Sequence, residues 1–437
     1  MKKIIKITSL SLVLLVQGCA TFSSEFRAVE KHLVQGRPAQ ALKVLDKKPG
    51  AERDRVLYLL NRGMLQRMIG QYQSSNASLE EAKIMMRKLF ATSVSETAGS
   101  LLINDGTRSY IGDPYEQVMV HMMKALNYLE LNERDSARVE ILQMDIRLRE
   151  IYANQESSYM EDAFGRYLAG IIYEELGDYN DAMVSYRKAY KVYTSQRQSF
   201  SVSVPQHLKV ALLRMSQHMG LGNENKQYQE QFGITQYDSV REYRQKGNMV
   251  VIMGNGLAPI KIEQAIHVND YRTGRMHRIA LPAYRSRRVL LGGLRLQVGN
   301  KQSQGDLVDD IDAIAHQTLK EQLPAIKARA LARAVAKNAM VKGTKRDRDN
   351  HPLLGLALNI ATVATERADT RSWVTLPSEM YLASISLPAG EHDVRLQFLG
   401  RSGGVVDSKL YSRIPIRAGR NHYLFYHWVS PASQRGR

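Results

Sequence analysis

The spacing of apolar residues divides the chain into two parts. From Phe22 onward they recur every three or four residues, which is the period of amphipathic helices. From Met249 onward, short continuous or alternating apolar runs take over, and such runs are typical of strands. The change falls across the polar segment Gln236 to Gly247. The pattern predicts an α+β protein, with a helical domain over residues 19–235 and a mixed α+β domain over residues 248–437 that ends in a β-rich module.

The helical part contains a repeated pair of helices, which is clearest between Ala163 and Val192. Its first helix carries a small residue and an aromatic one, Gly170 and Tyr173, and a turn follows at Gly177. Its second helix carries two small residues on either side of an aromatic one: Ala182, Tyr186 and Ala189. These spacings match the tetratricopeptide pattern, in which small residues let two helices approach and aromatics fill the groove. Weaker units begin at Phe22, Val56 and Val118. The sequence therefore predicts a tetratricopeptide-like α-solenoid, with a generic helical bundle as the alternative. A possible fifth hairpin from Leu208 lacks the signature.

An insertion from Phe90 to Pro114 separates the second unit from the third. It mixes turn-forming, aromatic and charged residues, a composition that is favoured at interfaces. Long ordered insertions on a rigid scaffold often carry binding residues. We expect six of its residues and neighbours to contact a partner, or to organise the surface that does: Asn104, Asp105, Arg108, Tyr110, Asp113 and Tyr115. The alternative is a structural plug that closes the helix stack.

The mixed part begins with a continuous apolar run, Met249 to Met253, which predicts a buried strand. Asp306 is expected to cap a helix, and Pro324 to open a second one that ends near Lys342. The stretch Leu353 to Ala368 predicts an apolar helix that is too short to span a bilayer. Further strands are predicted at Ile262–His267, Met276–Leu281, Val289–Val298, Met380–Leu387, His392–Leu399, Val405–Ser412 and Asn421–Val429.

Two groups of basic residues are candidates for a polyanion contact. Arg329, Arg333 and Lys337 follow each other at i+4 spacing, so they form one stripe on a helix. Arg285, Arg287 and Arg288 form a second cluster in a predicted loop. The plainer interpretation of the stripe is a solvated face, and a membrane contact stays open beside the polyanion.

Motifs for catalysis are missing from the sequence. It contains no phosphate-binding P-loop, no His-Glu-x-x-His zinc motif and no Gly-x-Ser-x-Gly elbow. We therefore expect a protein that is not an enzyme and that has no catalytic, cofactor-binding or metal-binding residues. A hydrolase with an unfamiliar site stays open as a third class of function.

The N-terminal residues predict export and lipidation. A lysine-rich start precedes an apolar run, Ile7 to Val16, which is too short to span a bilayer. The run ends at Val16-Gln17-Gly18-Cys19, which resembles the lipobox of bacterial lipoproteins, and Cys19 is the only cysteine in the chain. We predict a signal peptide over residues 1–18 and attachment of lipid to the Cys19 thiol. Because Ala20 rather than Asp follows, the outer membrane is favoured, with the protein facing the periplasm. The alternative is an ordinary signal peptide with a chance cysteine.

The charge of the chain limits the kinds of partner. The formal net charge is +18, and removal of the three lysines in the predicted signal leaves +15. Such a charge favours polyanions, which in the periplasm are lipid head groups, anionic glycans and acidic proteins. Nucleic acid is not expected as a partner of an exported chain.

Several strings of residues together suggest a family. They are Ala98-Gly99-Ser100-Leu101-Leu102, Asn104-Asp105, Asp162-Ala163-Phe164, Asn255-Gly256-Leu257-Ala258-Pro259 and Glu366-Arg367-Ala368-Asp369-Thr370-Arg371-Ser372-Trp373. Over most of the mature chain, the sequence resembles a family of proteobacterial tetratricopeptide-repeat outer-membrane lipoproteins. The resemblance implies a place in a cell-envelope or secretion assembly, and it supplies no catalytic residues. A scaffold for such an assembly is the expected function. The alternative is a binding module for anionic glycan or peptidoglycan that regulates envelope synthesis.

Replacing the lipidated residue should release the protein from the membrane. In Cys19→Ser no thiol is left to accept lipid, so the variant should leave the membrane fraction and appear in the soluble periplasm. Fractionation of cells that carry each form, with an immunoblot of each fraction, measures this. A variant that still sediments with the outer membrane and resists salt extraction would contradict the anchor.

Overall fold

The computed structural model describes residues 22–95, 108–151, 153, 162–200, 202–270, 275–343 and 367–429. The predicted signal segment, Cys19, Asn104, Asp105 and residues 353–366 of the predicted apolar helix lie outside the described residues. The backbone of Lys337 is described, but its side chain is not.

The described chain begins with five helical hairpins and a short extra helix. The hairpins are α1 (Phe22–Val34) with α2 (Pro38–Asp46), α3 (Arg55–Met68) with α4 (Tyr72–Ser95), α5 (Pro114–Glu130) with α6 (Arg134–Ile151), α7 (Ala163–Leu176) with α8 (Tyr179–Phe200), and α9 (Gln206–His218) with α10 (Gly222–Phe232). A 3₁₀ turn, Glu52–Asp54, precedes α3, and α11 (Val240–Gln245) follows the last hairpin.

The turn of each hairpin has the same backbone geometry. A residue with positive φ stands two positions before the second helix in all five hairpins: Gly36, Gly70, Asn132, Gly177 and Gly220. Glycine and asparagine adopt this left-handed conformation most readily, and a residue in this conformation ends a helix. The fifth hairpin therefore shares the turn chemistry of the others, although its sequence lacks the signature residues.

The fourth hairpin shows how the signature residues pack. Gly170 on α7 faces Tyr186 on α8, and the Tyr186 side chain is almost completely buried. Ala182 and Ala189 flank it on α8 and are fully buried. The rings of Tyr167 and Tyr186 lie 6.2 Å apart. Small residues thus bring the helices together around one aromatic, as the sequence predicts.

The described residues of the second half of the chain form ten strands and a long helix. The strands are β1 (Gly247–Asn255), β2 (Ile260–Asp270), β3 (Arg275–Arg285), β4 (Leu291–Val298), β5 (Lys301–Gln304), β6 (Asp306–Asp310), β7 (Glu379–Leu387), β8 (Gly390–Gly400), β9 (Val405–Ile416) and β10 (Asn421–Trp428), and the helix is α12 (Ile311–Gly343).

Two four-stranded sheets and one hairpin are formed by these strands. In the mixed sheet the order is β10-β1-β7-β6, with β1 parallel to β10 and antiparallel to β7. In the antiparallel sheet the order is β5-β4-β8-β9. Strands β2 and β3 pair with each other as a separate hairpin. The chain therefore combines helix and sheet, as the hydrophobic pattern predicts.

The mixed sheet is buried on both of its faces. All nine residues of β1 are buried. Met249, Val251 and Met253 pack with the antiparallel sheet in one hydrophobic core. Val250 and Ile252, on the opposite face, belong to a second core that they share with the helical hairpins. The order of layers is therefore hairpins, mixed sheet, antiparallel sheet.

Two expectations about the long helix are wrong. Asp306 does not cap a helix; it begins β6, where Leu307 pairs with Tyr381 of β7 and Val308 is buried. The helix starts at Ile311, and the side chain of Asp310 accepts a hydrogen bond from the Ala313 amide at its first turn. Acidic residues do precede the helix, as the sequence predicts. Leu307 and Val308, the two apolar residues between Asp306 and Asp309, favour a strand there instead of a helix start. Pro324 does not open a second helix, since it lies within α12.

Filling the space beside Gly170 should destabilise the protein. A Cβ atom there would lie 2.3 Å from Cδ1 of Tyr186, so Gly170→Ala forces the ring or the helices to move, at a cost of about 1–3 kcal/mol in the free energy of unfolding. The control is Gly222→Ala at the start of α10, where an added Cβ would meet nothing within 4 Å. Thermal unfolding followed by circular dichroism compares the two. Equal melting temperatures would contradict the close approach of α7 and α8.

Candidate functional site

The face of the solenoid that is usually available to partners is occupied by the chain's own second half. A polar contact to that half is made from each hairpin, by a residue of its first helix or of the turn before it. The contacts are Glu30 with Arg287 (3.1 Å), Asp54 with Arg371 (2.9 Å), Glu116 with the Trp373 amide (2.7 Å), Glu175 with the Tyr423 hydroxyl (2.9 Å) and His207 with Ser303 (3.1 Å). The solenoid therefore wraps around the sheets rather than presenting an empty groove.

Glu116 on α5 is the centre of this contact. Its carboxylate is fully buried and accepts four hydrogen bonds. Two come from backbone amides, those of Asp113 (3.0 Å) and Trp373 (2.7 Å). The other two come from the hydroxyls of Tyr110 and Tyr115. Burial, with the nearby charge of Asp113, raises the pKa of Glu116 to about 7 although Lys261 and these donors oppose the shift.

Asp113 extends the network to the β2–β3 hairpin. It lies directly before α5 as the N-cap residue. Its carboxylate accepts a hydrogen bond from the ammonium group of Lys261 on β2 at 2.6 Å and another from the hydroxyl of Tyr284 on β3. The hydroxyls of Tyr115 and Tyr284 lie 3.2 Å apart. Lys261 has only a small exposed fraction, so the ion pair is shielded from water. This geometry fixes the hairpin against the third solenoid unit.

The predicted partner-binding residues of the insertion therefore have a different place. Tyr110 and Tyr115 are buried, at 4% and 0% exposure, and Asp113 is paired within the chain. The prediction that these three residues face a partner is wrong, because their side chains hold the two halves of the chain together. Arg108 is half-buried. The alternative of a structural plug describes Tyr110, Asp113 and Tyr115 better.

A loop before β7 completes the contact. Arg371 pairs with Asp54 (2.9 Å) and Asp369 (2.7 Å), and its guanidinium lies 5.2 Å from the Tyr110 ring centre. Trp373 is fully buried, and its indole N–H donates to Thr375 at 3.1 Å. Arg371 and Trp373 belong to a string that carries the family resemblance, but no local pattern in the sequence places them against the solenoid.

The solenoid also covers the edges of the mixed sheet. On β10, the amide of Phe425 donates to Glu130, and that of Asn421 donates to Glu175 at 3.1 Å. On β6, the carbonyl of Val308 accepts a hydrogen bond from the Tyr193 hydroxyl at 2.8 Å. These side chains satisfy backbone groups that an edge strand would otherwise leave open.

Some of the basic residues that were candidates for a polyanion contact are bound within the chain, and others are exposed. Arg287 and Arg333 are of the first kind and do not form a surface for a polyanion. The Arg287 side chain donates to the carbonyl of Ala258 (2.6 Å) and to Glu30 (3.1 Å), and Arg333 is buried at 3% exposure. Burial lowers the pKa of Arg287. The exposed members are Arg285, Arg288 and Arg329.

An open groove of about 690 Å³ lies between the β2–β3 hairpin and α12. Its apolar lining includes Ile266, which is 53% exposed, together with Leu319 and Leu323. Two lysines of α12, Lys320 and Lys327, also line it and are exposed. The exposed Arg285 and Arg288 are sequence neighbours of Ser286, another lining residue. The groove therefore combines apolar surface with positive charge. No periodicity in the sequence identifies it, because the two elements are joined only in the fold.

Ser286, Asp312 and His316 meet at this groove, but not as a catalytic triad. Ser286 donates to Asp312 at 2.7 Å, and His316 Nε2 lies 3.1 Å from the same Ser286 hydroxyl. The carboxylate lies 3.8 Å from that same Nε2 atom. A triad needs the histidine between the two, with its second nitrogen held by the carboxylate. Here the serine proton is directed to Asp312, so His316 is not placed to remove it.

A second, smaller cavity of about 160 Å³ lies between the last two solenoid hairpins and the mixed sheet. Its lining includes Arg214 and His207. Arg214 pairs with Glu174 at 2.5 and 2.9 Å and lies 3.8 Å from the Tyr243 ring centre. Burial lowers the pKa of His207. Since both groups already have partners in the chain, this cavity is the weaker candidate for a binding site.

The described residues provide neither a metal site nor a helix suited to a membrane. No group of three or more His, Cys, Asp or Glu side chains there is arranged to hold a metal ion. Within the same residues, none of the helices has the length and apolar character needed to cross a bilayer.

The buried carboxylate of Glu116 should make stability depend on pH. The folded-state pKa is about 7, against an ordinary value of 4.5, so between these values the unfolded chain has lost a proton that the folded chain keeps. The free energy of unfolding should therefore fall as pH rises from about 4.5 to 7, by on the order of 1–3 kcal/mol from this group. Glu116→Gln should flatten that slope in melting temperatures measured from pH 4.5 to 7.5.

The control for this measurement is Glu133→Gln, at an exposed glutamate on the same solenoid unit. It removes one exposed carboxylate and leaves the buried network of Glu116 intact, so it shows what the loss of a single glutamate does to the slope. A Glu116→Gln profile that runs parallel to that of the unmodified protein would contradict the raised pKa, whatever its offset in stability.

The chain is distantly similar to some solved structures. No protein-family model and no curated protein matches the sequence. Among solved structures, MamA is 15% identical with a TM-score of 0.30, and 46% of this chain covers 90% of that one. The apo form of RapI is 13% identical with a TM-score of 0.37, and 51% of this chain covers 56% of that one. Both are tetratricopeptide-containing proteins. Similarity this low carries no argument about function.

Proposed function

We propose that the chain is an interaction protein of the bacterial envelope, anchored in the outer membrane through lipid on Cys19 and facing the periplasm. In this proposal it acts as a scaffold without catalysis, and its partner is another envelope protein. The groove between the β2–β3 hairpin and α12 binds that partner. The anchor rests on the lipobox, and the absence of catalysis rests on the sequence motifs and on the geometry of Ser286, Asp312 and His316.

The observation that carries the proposal is the contrast between two surfaces. The inner face of the solenoid is filled by the mixed sheet and by the Arg371 to Trp373 loop. The groove, in contrast, leaves Ile266 half exposed and places two lysines beside apolar residues. A surface that combines apolar area with charge at its margin suits a protein segment with apolar and acidic residues.

The alternative partner is an anionic glycan such as peptidoglycan. The exposed arginines Arg285 and Arg288, on either side of the lining residue Ser286 in sequence, favour it together with Lys320 and Lys327. The two partners differ in their response to salt. Binding of a polyanion by surface charges weakens steeply as ionic strength rises, whereas burial of apolar surface does not.

Site-specific photo-crosslinking in intact cells tests the groove. A photoreactive amino acid at Gln317, which lines the groove, should give a defined cross-linked protein band, and the same amino acid at Lys47, an exposed residue directly after α2, should not. Lys320→Glu with Lys327→Glu should weaken the band at Gln317 several-fold, because both substitutions reverse charge beside an acidic segment. Lys47→Glu with Lys48→Glu is the matched control for net charge.

Three results would contradict the protein-scaffold proposal. One is the same set of bands at Gln317 and Lys47. The second is a band at Gln317 that is insensitive to the charge reversal. The third is binding to purified peptidoglycan sacculi that is lost at high salt and in the Lys320→Glu, Lys327→Glu variant, with no protein band at all. The last result would favour the glycan alternative.

A further inference from the structure

Helix α6 carries apolar side chains on two opposite sides. Its inner side packs into the core through four buried residues: Ala137, Ile141, Met144 and Leu148. Its outer side exposes Val139, Leu142 and Ile146 to solvent, each at 46–48%. A surface helix of a folded chain usually has one apolar stripe, and that stripe faces the core. The outer stripe of α6 therefore needs an explanation other than the packing of its own hairpin.

The outer stripe distinguishes α6 from the second helices of the adjoining hairpins. Its three residues are spaced three and four positions apart, so they form one row along the helix. Among the described side chains, α4 exposes one large apolar residue, Ile84, and α8 exposes one, Val184. Single exposed apolar residues are ordinary on a protein surface, whereas contiguous apolar surface is found at interaction sites. The row on α6 is therefore the stronger candidate for a contact with another chain.

Opposite charges stand at the two ends of this row. Asp135 precedes Leu142 by seven residues and Arg149 follows it by seven, which is two helical turns in each direction. Their side chains are 79% and 70% exposed. Each has one ion pair within α6, Asp135 with Arg138 at 3.4 Å and Arg149 with Asp145 at 3.0 Å. Ion pairs this exposed add little stability, so they do not prevent either charge from pairing with another chain.

We propose that α6 packs antiparallel against α6 of a second copy of this chain, with Leu142 at the twofold axis. Since Asp135 and Arg149 are equally far from Leu142, each Asp135 then lies beside Arg149 of the other copy. Val139 and Ile146 of the two copies fill the space between the axis and these ion pairs. The contact covers about 21 Å of each helix. It does not depend on the groove beside α12.

The pattern of the row favours a second copy over an unrelated partner. In a twofold contact, each residue has to suit the residue that lies equally far from the axis on the other copy. Acid and base occupy two such positions, 135 and 149, with apolar residues between them. A parallel pair would instead place Asp135 against Asp135 and Arg149 against Arg149, and contacts between like charges are unfavourable. A different partner protein would not require this symmetry.

Charge reversal tests the antiparallel contact. In the full-length Cys19→Ser chain, light scattering after gel filtration should give twice the mass of one chain. Asp135→Arg alone, or Arg149→Asp alone, should give the mass of one chain, because each creates two contacts between like charges. The two reversals together should restore the dimer. Asp181→Arg, which reverses an exposed acid in the first turn of α8, is the matched control and should stay dimeric.

Recovery in the double variant would be specific to the contact. Asp135 lies in the first turn of α6 and Arg149 in the last, where the helix dipole favours an acid and a base respectively. Both reversals therefore make the isolated helix less stable, so a recovered dimer cannot result from a better helix. Circular dichroism shows whether each variant is folded. A monomer at all tested concentrations of the Cys19→Ser chain, or a folded double variant that stays monomeric, would overturn the proposal.

Oxidative cross-linking tests the position of the axis without changing charge. Helices that pack along each other have axes about 8–10 Å apart, and each Cα atom lies about 2.3 Å from its axis. Two Cα atoms at the point of contact are therefore within about 6 Å, a distance that a disulfide spans. In the Cys19→Ser background, mild oxidation should link most Leu142→Cys chains into dimers. Val184→Cys, which replaces a residue of equal exposure on α8, should remain unlinked. Linking that is equal at the two positions, or stronger at 184, would count against the contact.

Discussion

Burial of β1 on both faces is the constraint from which the rest of the arrangement follows. Met249, Val251 and Met253 require the antiparallel sheet on one side, and Val250 and Ile252 require the solenoid on the other. Leaving one such side chain in water costs about 1.5–3 kcal/mol. The solenoid therefore forms one wall of the core of the sheets. Its inner face is occupied by the mixed sheet of the same chain.

This arrangement also decides where acidic side chains are placed. A sheet that touches a helical wall brings backbone N–H groups out of water, and these need acceptors. Glu116, Glu130 and Glu175 supply them, and each lies on the first helix of a solenoid hairpin. Other buried acids pair with buried bases, as Asp54 does with Arg371 and Glu174 with Arg214, so the interior takes up charge of both signs.

The elements that could be predicted from sequence are those with local signals. Helical period and a left-handed turn residue such as Gly177 are confined to about 34 residues, so each hairpin can be recognised alone. The continuous apolar run of β1 likewise predicts burial without knowledge of its neighbours. The short strand β6 could not be predicted, since the acids that surround Leu307 and Val308 are also typical of a helix start. What decides between strand and helix there is the pairing with β7, which is distant in sequence.

The error over the insertion has a more general physical cause. Aromatic and charged residues in one loop indicate that two surfaces meet, and Tyr110, Asp113 and Tyr115 do lie where two surfaces meet. Composition cannot say whether the second surface belongs to another chain, because contacts within and between chains use the same hydrogen bonds and apolar packing. Here the second surface is the β2–β3 hairpin and the loop at Trp373. Because the solenoid is a wall for these elements, the groove proposed to bind a partner lies instead on the second half of the chain, along α12. That half has the weaker sequence pattern, so the inner face of a recognisable repeat is not the surface from which partner binding should be inferred.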